Sequence, residues 1–526
     1  MKLSTLLYEA GYGEIPVPQD IEIHGISSDT RAVKNGDLFV AMRGGRIDSH
    51  TLVKEAEKRG AVCAAVEAGC FSDRSVGILL VSLSDTRSAF ARLSDAFYGH
   101  PACGFPLIGV TGTNGKTTVT HLLYEILEGA GRRVGRIGTV EGRSCGRVLR
   151  SECADPEAHM TTPDPPVLYR MLSEMRDDGC EYAVMEATSH ASVLHKLDPL
   201  KFDLLIFTNL TLDHLDFHKT KDAYFEAKAR LFRQTRRALI SLDGSAVFGD
   251  PDGYAERIVR IARESGAEVF TCSADRSKDP DFLLSDLRET FGGENEGITF
   301  RLTEGTGKHD FVVRSPLLGK YNGMNLLEST AAALLLGISE EKIKEALRCF
   351  PGVPGRTERI DLGHGADIAV FVDFAHTPDA LENLLKAVHG FRRDEGRITV
   401  LFGCGGDRDP SKRREMAHIA SRLADLVYIT SDNSRSEDPN AIIKDILKGI
   451  DKEKPHCVIT DRRLAIENAV LTAREGDILL LCGKGHERYT VDRDGVHDFC
   501  EADIVREAYR RRKGAENFDI NGETEG

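Results

Sequence analysis

The chain has 526 residues and a formal net charge of −14 at pH 7, from 69 Lys and Arg against 83 Asp and Glu. This length is too great for one hydrophobic core, so we expect three domains. The acidic balance and the lack of a Lys/Arg-rich block argue against nucleic acid or an anionic membrane as the main partner. A small-molecule substrate is therefore predicted.

The cysteines and the N-terminal segment both favour a cytoplasmic protein. Twelve cysteines occur singly between Cys63 and Cys500, without a CxxC pair. This spacing predicts neither a disulfide framework nor a zinc site. The segment MKLSTLLYEAGYGE lacks the features of a signal peptide, and no apolar run is long enough to span a bilayer.

Two joints rich in glycine and proline divide the chain, at residues 99–106 and 351–359. Such segments are typical of domain boundaries. The predicted domains are residues 1–104, 105–352 and 353–526. The last stretch, residues 511–526, is polar and contains glycine, so we expect it to fray.

The predicted elements follow a consistent order after the first joint. The first segment mixes short apolar runs with a helical pattern over Leu52–Arg59, which indicates a small α/β unit. Later, continuous apolar runs end in polar loops and alternate with helical patterns, which predicts parallel strands buried on both faces. These runs are residues 107–111, 182–185, 202–207, 368–372, 398–402, 426–430 and 478–481. Both later segments are predicted to be doubly wound, with ligands beyond the strand carboxyl ends.

The stretch LIGVTGTNGKTTVTHLLYEIL, residues 107–127, combines a strand, a glycine loop and a helix. Val110 stands where the usual P-loop has its first glycine, so the match is to a variant. Glycines let backbone N–H groups approach phosphate, Lys116 can reach the terminal phosphates, and the Thr117 hydroxyl can bind magnesium. A glycine turn without a ligand is the alternative. The fold class predicted is α/β, with a small N-terminal α/β domain, a central P-loop domain and a C-terminal Rossmann-like domain.

Acidic and histidine side chains follow the other central strands. Glu186 lies in MEATSHA, and Asp213 and His214 lie in TNLTLDHLDFH. A carboxylate and an imidazole could hold magnesium between ATP and an acceptor oxygen. From their spacing alone, a helix-cap or surface pattern explains these residues equally well.

Nine motifs occur in an order that resembles the Mur ligases, the cytoplasmic ATP-dependent amide-forming enzymes of peptidoglycan precursor synthesis. The motifs are GTNGKTT, MEATSHA, TNLTLDHLDFH, YFEAKARLF, LGKYNGMN, GRTER, VDFAHTPDAL, GCGGDRDP and CGKGHE. The similarity covers residues 25–490. Within the family, SSDTRAVKNGDLFVAMRG at residues 27–44 and DNSR at residues 432–435 point to the member that adds the third residue of the stem peptide.

The resemblance implies a magnesium-dependent ligase, and we expect it to be a monomer. It would use ATP to join meso-diaminopimelate to UDP-N-acetylmuramoyl-L-alanyl-D-glutamate through an acyl phosphate. Three alternatives stay open. Two are a sister ligase that adds L-lysine and a folate polyglutamate ligase on the same scaffold. The third is a P-loop nucleotide switch that makes no bond.

The resemblance also implies roles for individual residues around ATP and magnesium. The implied ATP-binding residues are Gly112, Thr113, Asn114, Gly115, Lys116, Thr117, Thr118, Asn322, Asn325, Arg356, Asp373 and His376. Thr117 and Glu186 would hold one magnesium ion and His214 a second, with Lys116, His214 and Lys228 as catalytic residues. Lys228 matches a lysine that the family carbamylates, whereas its spacing alone indicates a solvated helix residue. Because these residues lie on both sides of the second joint, we expect the last domain to close over the nucleotide.

Two further sets are implied for the other substrates. The uridine nucleotide would contact Thr30, Thr161, Thr162, Ser189 and Lys196. Lys196 replaces a usual arginine and so offers a point charge in place of a bidentate fork. Diaminopimelate would contact Arg408, Asp432, Asn433, Ser434, Arg435, Gly483 and Glu487.

The DNSR loop is where substrate choice is expected. Arg435 can bind the side-chain carboxylate of diaminopimelate through two hydrogen bonds, and Glu487 can accept from its ammonium. Lysine lacks that carboxylate, so Arg435 would reject it. The alternative is a surface arginine paired with Glu437 or Asp438. Ser434 replaces a usual proline, which predicts a looser loop.

Overall fold

Three main β-sheets follow one another along the chain, each covered by helices. The computed structural model describes residues 1–44, 47–71, 75–149, 160–211, 213–244, 253–291, 296–390, 392 and 396–521. The predicted α/β class with three parts is confirmed. We name the N-terminal, central and C-terminal units after these sheets. The domain boundaries near residues 104 and 352 stay predictions, because the limits of a sheet do not define where a domain ends.

The N-terminal unit is a four-stranded parallel sheet in the order β1-β2-β3-β4. Its strands are β1 Gly25–Ser27, β2 Asp37–Val40, β3 Cys63–Glu67 and β4 Leu79–Leu83. Its helices are α1 Leu3–Glu9, α2 Val53–Lys58 and α3 Thr86–Phe97. Apolar side chains of α1 and α3 pack together over one face of the sheet, and this packing explains why both helices are amphipathic.

The central unit has an eleven-stranded sheet in the order β15-β14-β13-β12-β11-β10-β5-β9-β6-β7-β8. Its strands are β5 Leu107–Thr111, β6 Val134–Ile137, β7 Gly142–Ser144, β8 Arg147–Leu149, β9 Tyr182–Glu186, β10 Leu204–Phe207, β11 Arg237–Ser241, β12 Glu268–Ser273, β13 Phe282–Thr290, β14 Gly297–Glu304 and β15 Asp310–Ser315. Its helices are α4 Lys116–Gly129, α5 Pro165–Asp177, α6 Ser189–Val193, α7 Leu215–His218, α8 Lys221–Ala229, α9 Tyr254–Glu264, α10 Asn322–Leu335 and α11 Glu340–Arg348.

The central sheet is parallel in its middle and antiparallel at both edges. Strands β6, β9, β5, β10, β11, β12 and β13 pair in parallel. This arrangement was predicted for β5, β9 and β10, whereas the other four strands were not predicted. Strands β14 and β15 extend one edge antiparallel to β13, and β7 and β8 extend the other edge. These edges were not predicted. Edge strand β15 alternates buried and exposed residues, so it lacks the continuous apolar run that marks a strand buried on both faces.

The C-terminal unit has a six-stranded sheet in the order β16-β17-β21-β18-β19-β20, parallel except for β16. Its strands are β16 Glu358–Arg359, β17 Ala369–Asp373, β18 Ile398–Phe402, β19 Leu426–Ile429, β20 His456–Val458 and β21 Ile478–Cys482, and a separate antiparallel hairpin has β22 Tyr489–Asp492 and β23 Gly495–Asp498. Its helices are α12 Pro378–His389, α13 Ser411–Leu423, α14 Pro439–Leu447, α15 Arg462–Leu471 and α16 Glu501–Asn521. Short 3₁₀ turns elsewhere span Thr30–Ala32, Ser49–Leu52, Pro101–Gly104, Arg230–Gln234 and Arg276–Lys278.

The prediction that residues 511–526 fray is wrong as far as Asn521, where helix α16 ends. The helix packs its apolar residues, including Val505 and Tyr509, into the core of the C-terminal unit. Arg512 donates to Asp367 at 2.7 Å, which ties the helix to the start of β17. The contacts of helix α16 with the rest of the C-terminal unit therefore favour a helix here despite the polar composition of the segment. Residues 522–526 lie outside the described residues.

The strand ends bring the predicted site loops together. The P-loop follows β5, which lies between β9 and β10, and Glu186 is the last residue of β9. In the C-terminal unit, β21 lies between β17 and β18, and the loops after β18, β19 and β21 carry the predicted amino-acid site. Within the described part of the chain, no helix is long and apolar enough to cross a membrane.

Candidate active site

The P-loop backbone takes conformations that only glycine accommodates. Gly112 has φ 151° and Gly115 has φ 86°. A Cβ atom on Gly112 would collide with the Thr208 hydroxyl, and one on Gly115 with the amide oxygen of Asn325. Helix α4 begins at Lys116, so the loop presents backbone N–H groups at a helix N-terminus.

Lys116 folds back onto this loop. Its Nζ donates to the carbonyl oxygens of Gly112 at 3.0 Å and Thr113 at 2.8 Å. Burial lowers the pKa of Lys116, an effect that nearby Glu186 and Asp213 oppose. An ammonium held at this position meets the terminal phosphates of a nucleotide seated on the loop.

Thr117 and Glu186, predicted to share a magnesium ion, are in contact. The Thr117 hydroxyl donates to Glu186 Oε2 at 3.0 Å, and Glu186 is fully buried. Thr139 donates to the same carboxylate through its backbone N–H at 2.8 Å and its hydroxyl at 3.1 Å. A hydroxyl and a buried carboxylate are oxygen ligands that suit magnesium, so these residues fit the implied ion. Thr118 is buried in the first turn of α4.

Lys228 is not a solvated helix residue. Its side chain is 1 % exposed, its Nζ donates to Gly112 O at 2.6 Å, and it lies 4.4 Å from the centre of the Tyr224 ring. Burial and the nearby charge of Lys116 hold the pKa of Lys228 well below its usual range. The structure thus places a second lysine amine against the P-loop.

His214 lies near both of these lysines, Lys116 and Lys228. Burial lowers its pKa to about 4, and the charges of Lys116 and Lys228 act in the same direction. Its Nε2 lies 3.3 Å from Asp213 Oδ2. Within the described ranges, the one compact group of potential metal ligands among His, Cys, Asp and Glu is instead His50, Glu67 and Cys70. Neither Glu186 nor His214 belongs to this group, and the separate magnesium ions expected for them stay a prediction.

The two asparagines expected near the nucleotide begin helix α10. Asn325 Nδ2 donates to Asn322 Oδ1 at 2.7 Å, and Asn322 Nδ2 donates to Leu318 O at 2.7 Å. Because Asn325 also approaches Gly115, the pair lies directly behind the P-loop.

Three further predicted nucleotide residues are Arg356, which lies within the second joint, and Asp373 and His376, which lie beyond it. Arg356 donates to the Thr117 hydroxyl at 3.3 Å. Asp373 accepts from the backbone N–H groups of Thr357 at 2.6 Å and Ala375 at 2.7 Å, and burial raises its pKa. Burial lowers the pKa of His376 to about 4. The structure brings Arg356 to the P-loop directly.

Asp379, which sequence reasoning missed, also joins the central and C-terminal units. This buried residue of α12 accepts from Asn114 Nδ2 at 2.5 Å and from the Thr211 hydroxyl at 3.5 Å. The motif VDFAHTPDAL contains Asp379, but an acidic residue in a first helical turn is expected as a cap, and nothing local marks it as a contact to another unit.

Four of the five residues predicted for the uridine nucleotide lie in the central unit, and two of them, Thr161 and Thr162, lie close to Glu186. The Thr161 hydroxyl lies 3.1 Å from that of Thr139, and the Thr162 hydroxyl donates to Glu186 O at 2.9 Å. Ser189 Oγ lies 3.0 Å from His218 Nε2. Lys196, nearly buried, contacts Asp164 Oδ1 at 2.8 Å.

Thr30 lies apart from these four, in the 3₁₀ turn after β1 of the N-terminal unit. Between the N-terminal and central units is a cavity of about 390 Å³, lined by Arg43, Asp85, Arg87, Leu194, His195 and Phe217, among others. Its lining carries two arginines, Arg43 and Arg87, and two carboxylates, Glu67 and Asp85.

The loops of the C-terminal unit bring Asn433 and Glu487 together. Asn433 Nδ2 donates to Glu487 Oε2 at 2.8 Å, and burial raises the pKa of Glu487. Gly483 has φ 113°, and a Cβ there would collide with the Asp432 carboxylate. Asp432, Asn433, Gly483 and Glu487 thus form one polar group, as predicted.

The Arg435 side chain points toward the loop that follows β18. Its Nη1 donates to Gly406 O at 3.0 Å, and its own φ is 51°. Glu437, the partner suggested by the alternative interpretation, is instead bound by Arg413 at 2.9 Å. Arg408 is exposed and makes no ion pair within the described residues.

The loop around Ser434 is held at several points. Ser434 is buried, and its carbonyl accepts from Glu437 N at 3.0 Å. Gly406 N donates to Asn433 O at 2.9 Å, and Arg435 N donates to Val491 O at 3.1 Å. These bonds restrain the loop without a proline, so the looseness expected from Ser434 is not seen in its contacts. How strictly the loop selects its substrate stays a prediction.

Three family models match successive parts of the chain. The "Mur ligase family, catalytic domain" matches residues 22–98, the "Mur ligase middle domain" residues 110–333 and the "Mur ligase, glutamate ligase domain" residues 355–485. The chain belongs to the Mur ligase family.

Individual Mur ligases match over nearly the whole length. The UDP-N-acetylmuramoyl-L-alanyl-D-glutamate--2,6-diaminopimelate ligase of Trichormus variabilis is 42 % identical, over 93 % of this chain and 95 % of its own. The ligase of the same name from Clostridioides difficile is 38 % identical, over 96 % and 99 %. A solved structure of a ligase with that name is 30 % identical, with a TM-score of 0.64, over 98 % of this chain and all of the other.

Proposed function

We propose that this Mur ligase uses ATP to join meso-diaminopimelate to UDP-N-acetylmuramoyl-L-alanyl-D-glutamate. The observation that carries the proposal is the presence of two polar sites at strand ends of contacting units. A P-loop with Thr117 and Glu186 lies in the central unit, an Asp432–Asn433–Glu487 group lies in the C-terminal unit, and Arg356 joins the two units through its contact with Thr117. The relatives that match over full length carry this activity in their names.

The chemistry requires activation of a carboxylate, because a carboxylate has no good leaving group for amide formation. The γ-carboxylate oxygen of the D-glutamyl residue attacks the γ-phosphorus of ATP, and ADP leaves. The free amine of diaminopimelate then attacks the acyl carbon, loses a proton and expels phosphate. Positioning and electrostatic stabilisation do most of this work.

The residues of the central unit supply these effects. The Lys116 ammonium lies where it can stabilise charge on the transferred phosphoryl group. Thr117 and Glu186 would hold one magnesium ion, and His214 with carbamylated Lys228 would hold another; magnesium neutralises charge on phosphate oxygens when bound. The P-loop residues 112–118, together with Asn322, Asn325, Arg356, Asp373 and His376, would hold ATP.

The uridine-linked substrate would lie along the cavity between the N-terminal and central units. Arg43 and Arg87 in its lining would donate to the phosphates of the diphosphate. Thr161, Thr162, Ser189 and Lys196 would then hold the peptide end beside Glu186, with Thr30 at the uridine end. We further propose a monomeric cytoplasmic enzyme with domains 1–104, 105–352 and 353–526.

Diaminopimelate would enter among the loops after β18, β19 and β21. Its distal end carries one carboxylate and one ammonium, which Arg435 and Glu487 would receive. Arg408, exposed at the mouth of these loops, would attract the carboxylate. An L-lysine-adding ligase would need no cation facing this position, and a nucleotide switch would need no amino-acid site.

The test is phosphate release from ATP in the presence of UDP-N-acetylmuramoyl-L-alanyl-D-glutamate, with meso-diaminopimelate, L-lysine or no amine. We expect stimulation by diaminopimelate and little by lysine. Equal use of lysine would assign the chain to the sister activity. Release independent of both amines would overturn the ligase proposal and support the switch.

A further inference from the structure

Lys484 lies at the centre of the polar loops of the C-terminal unit, and no role described above uses it. Its side chain is completely buried. Its Nζ donates to Asn433 Oδ1 at 2.8 Å and to Tyr489 O at 2.8 Å. It also lies 3.7 Å from Glu487 Oε2 and 3.8 Å from Asp432 Oδ1. A buried ammonium is costly unless it is paired and hydrogen-bonded, and this one is both.

The contacts of Lys484 decide how Asn433 is oriented. Asn433 Oδ1 accepts from Lys484 Nζ and from Val491 N at 3.1 Å. An amide oxygen that receives two donors leaves the amide nitrogen to face the other way, toward Glu487. Without the ammonium, one of the two bonds that fix this orientation is lost, and the carboxylate of Glu487 loses a defined position.

The charges around Lys484 also match the proposed substrate. Two carboxylates, Asp432 and Glu487, face two basic side chains, Lys484 and Arg435, while the buried Arg462 beside Asp432 is paired with Glu501 at 2.8 Å. Burial raises the pKa of Glu487, while the charge of Lys484 acts to lower it. A balanced group receives a zwitterionic end without a net change of buried charge, whereas the lone ammonium of lysine would add an unbalanced cation.

We propose that Lys484 is a positioning residue for the amino-acid substrate: it orients Asn433 and Glu487 and balances the charge of the loops for a zwitterionic side chain. The inference rests on the proposed function, since diaminopimelate is the substrate whose side chain ends in this way. It predicts that Lys484 contributes to amino-acid binding and choice, and that ATP binding does not depend on it.

The first test is Lys484→Met, which keeps the length of the side chain and removes the charge. Loss of a charged hydrogen bond should raise KM for diaminopimelate about tenfold or more. KM for ATP and for the uridine-linked dipeptide should stay unchanged. Discrimination against L-lysine, taken as the ratio of kcat/KM values, should fall by about tenfold, because an ammonium can now lie between Asp432 and Glu487.

The matched control is Lys452→Met, an exposed lysine of the same unit, which should leave every constant unchanged. Lys484→Arg keeps the charge, so it should lose less discrimination than Lys484→Met. In a double-mutant cycle with Glu487→Gln, the second substitution should add little, because both act on one group. Additive effects would show that Lys484 does not act through Glu487.

A second variant covers the case in which Lys484→Met does not fold. Asn433→Asp leaves Lys484 paired and removes the donor to Glu487, so it should also raise KM for diaminopimelate without changing KM for ATP. If wild-type protein shows no phosphate release that depends on diaminopimelate, the proposed function is wrong. The other case is that wild-type protein does release phosphate in response to diaminopimelate. The inference about Lys484 is then wrong if the variants keep the wild-type KM for diaminopimelate and the wild-type discrimination against lysine, whether or not kcat falls.

Discussion

Two lysine side chains compete for one carbonyl oxygen in the P-loop. Lys116 Nζ and Lys228 Nζ donate to Gly112 O at 3.0 Å and 2.6 Å. Burial, together with the nearby charge of Lys116, holds the pKa of Lys228 well below its usual range and so favours its neutral amine. A neutral amine reacts with carbon dioxide, and the resulting carbamate would turn a repelling cation into an anion beside Lys116.

Lys228→Ala should lower kcat for phosphate release that depends on diaminopimelate by about 100-fold or more, because it removes a charge aimed at the reacting group. Short carboxylic acids such as acetate or propionate should restore part of this activity by supplying the missing anion. The control is Lys201→Ala, at an exposed lysine of the central unit. This variant should keep the wild-type kcat, and added acid should not change it. Full activity of Lys228→Ala without any acid would remove Lys228 from the mechanism.

At the scale of elements, a helix fixes the loop that carries Arg435. Arg413 of α13 is nearly buried and binds Glu437 at 2.9 Å and Asp445 of α14 at 3.1 Å. Glu437 also accepts from Asp407 N at 2.6 Å, which joins the loops after β18 and β19. The position of Arg435 therefore depends on packing between helices and loops rather than on the loop sequence alone.

Glu437→Gln removes the charge that binds Arg413 while keeping the size of the side chain. We expect a loss of about 1 kcal/mol in the free energy of unfolding, since Glu437 is partly exposed and Arg413 keeps Asp445. We also expect weaker discrimination between diaminopimelate and lysine as the loop loosens. Thermal unfolding and the ratio of kcat/KM values measure the two effects, with the exposed Glu453→Gln as control. Wild-type discrimination in Glu437→Gln would mean that the loop holds its shape without this contact.

At the scale of the whole molecule, the sequence predicted those structural features that depend on burial or on a local residue pattern. All seven apolar runs are strands, with ends within two residues, because a parallel strand covered on both faces needs a continuous apolar run. The P-loop was predictable from its glycines, and the antiparallel edges were not. Lys484 and Asp379 were missed inside motifs already recognised, because only the fold shows that their partners come from distant parts of the chain.

The contact between the central and C-terminal units also bears on movement. The P-loop meets the C-terminal unit through the polar pairs Asn114–Asp379 and Thr117–Arg356. Polar contacts of this kind permit relative motion of domains, and ATP would lie between the same groups. The expected closure therefore has a specific structural basis, in which ligands bound between the two units reinforce these few bonds.

Closure should be visible by small-angle scattering. We expect the radius of gyration to fall when a non-hydrolysable ATP analogue, the uridine-linked dipeptide and diaminopimelate are added together. Asp379→Asn removes the charged acceptor of Asn114, which should destabilise the closed state relative to the open state by about 1–2 kcal/mol. The ligand concentrations needed for closure should therefore rise about tenfold. Asp498→Asn, on the exposed hairpin, should behave as wild type. A profile that the three ligands leave unchanged would count against closure, and the split nucleotide site would then be pre-formed.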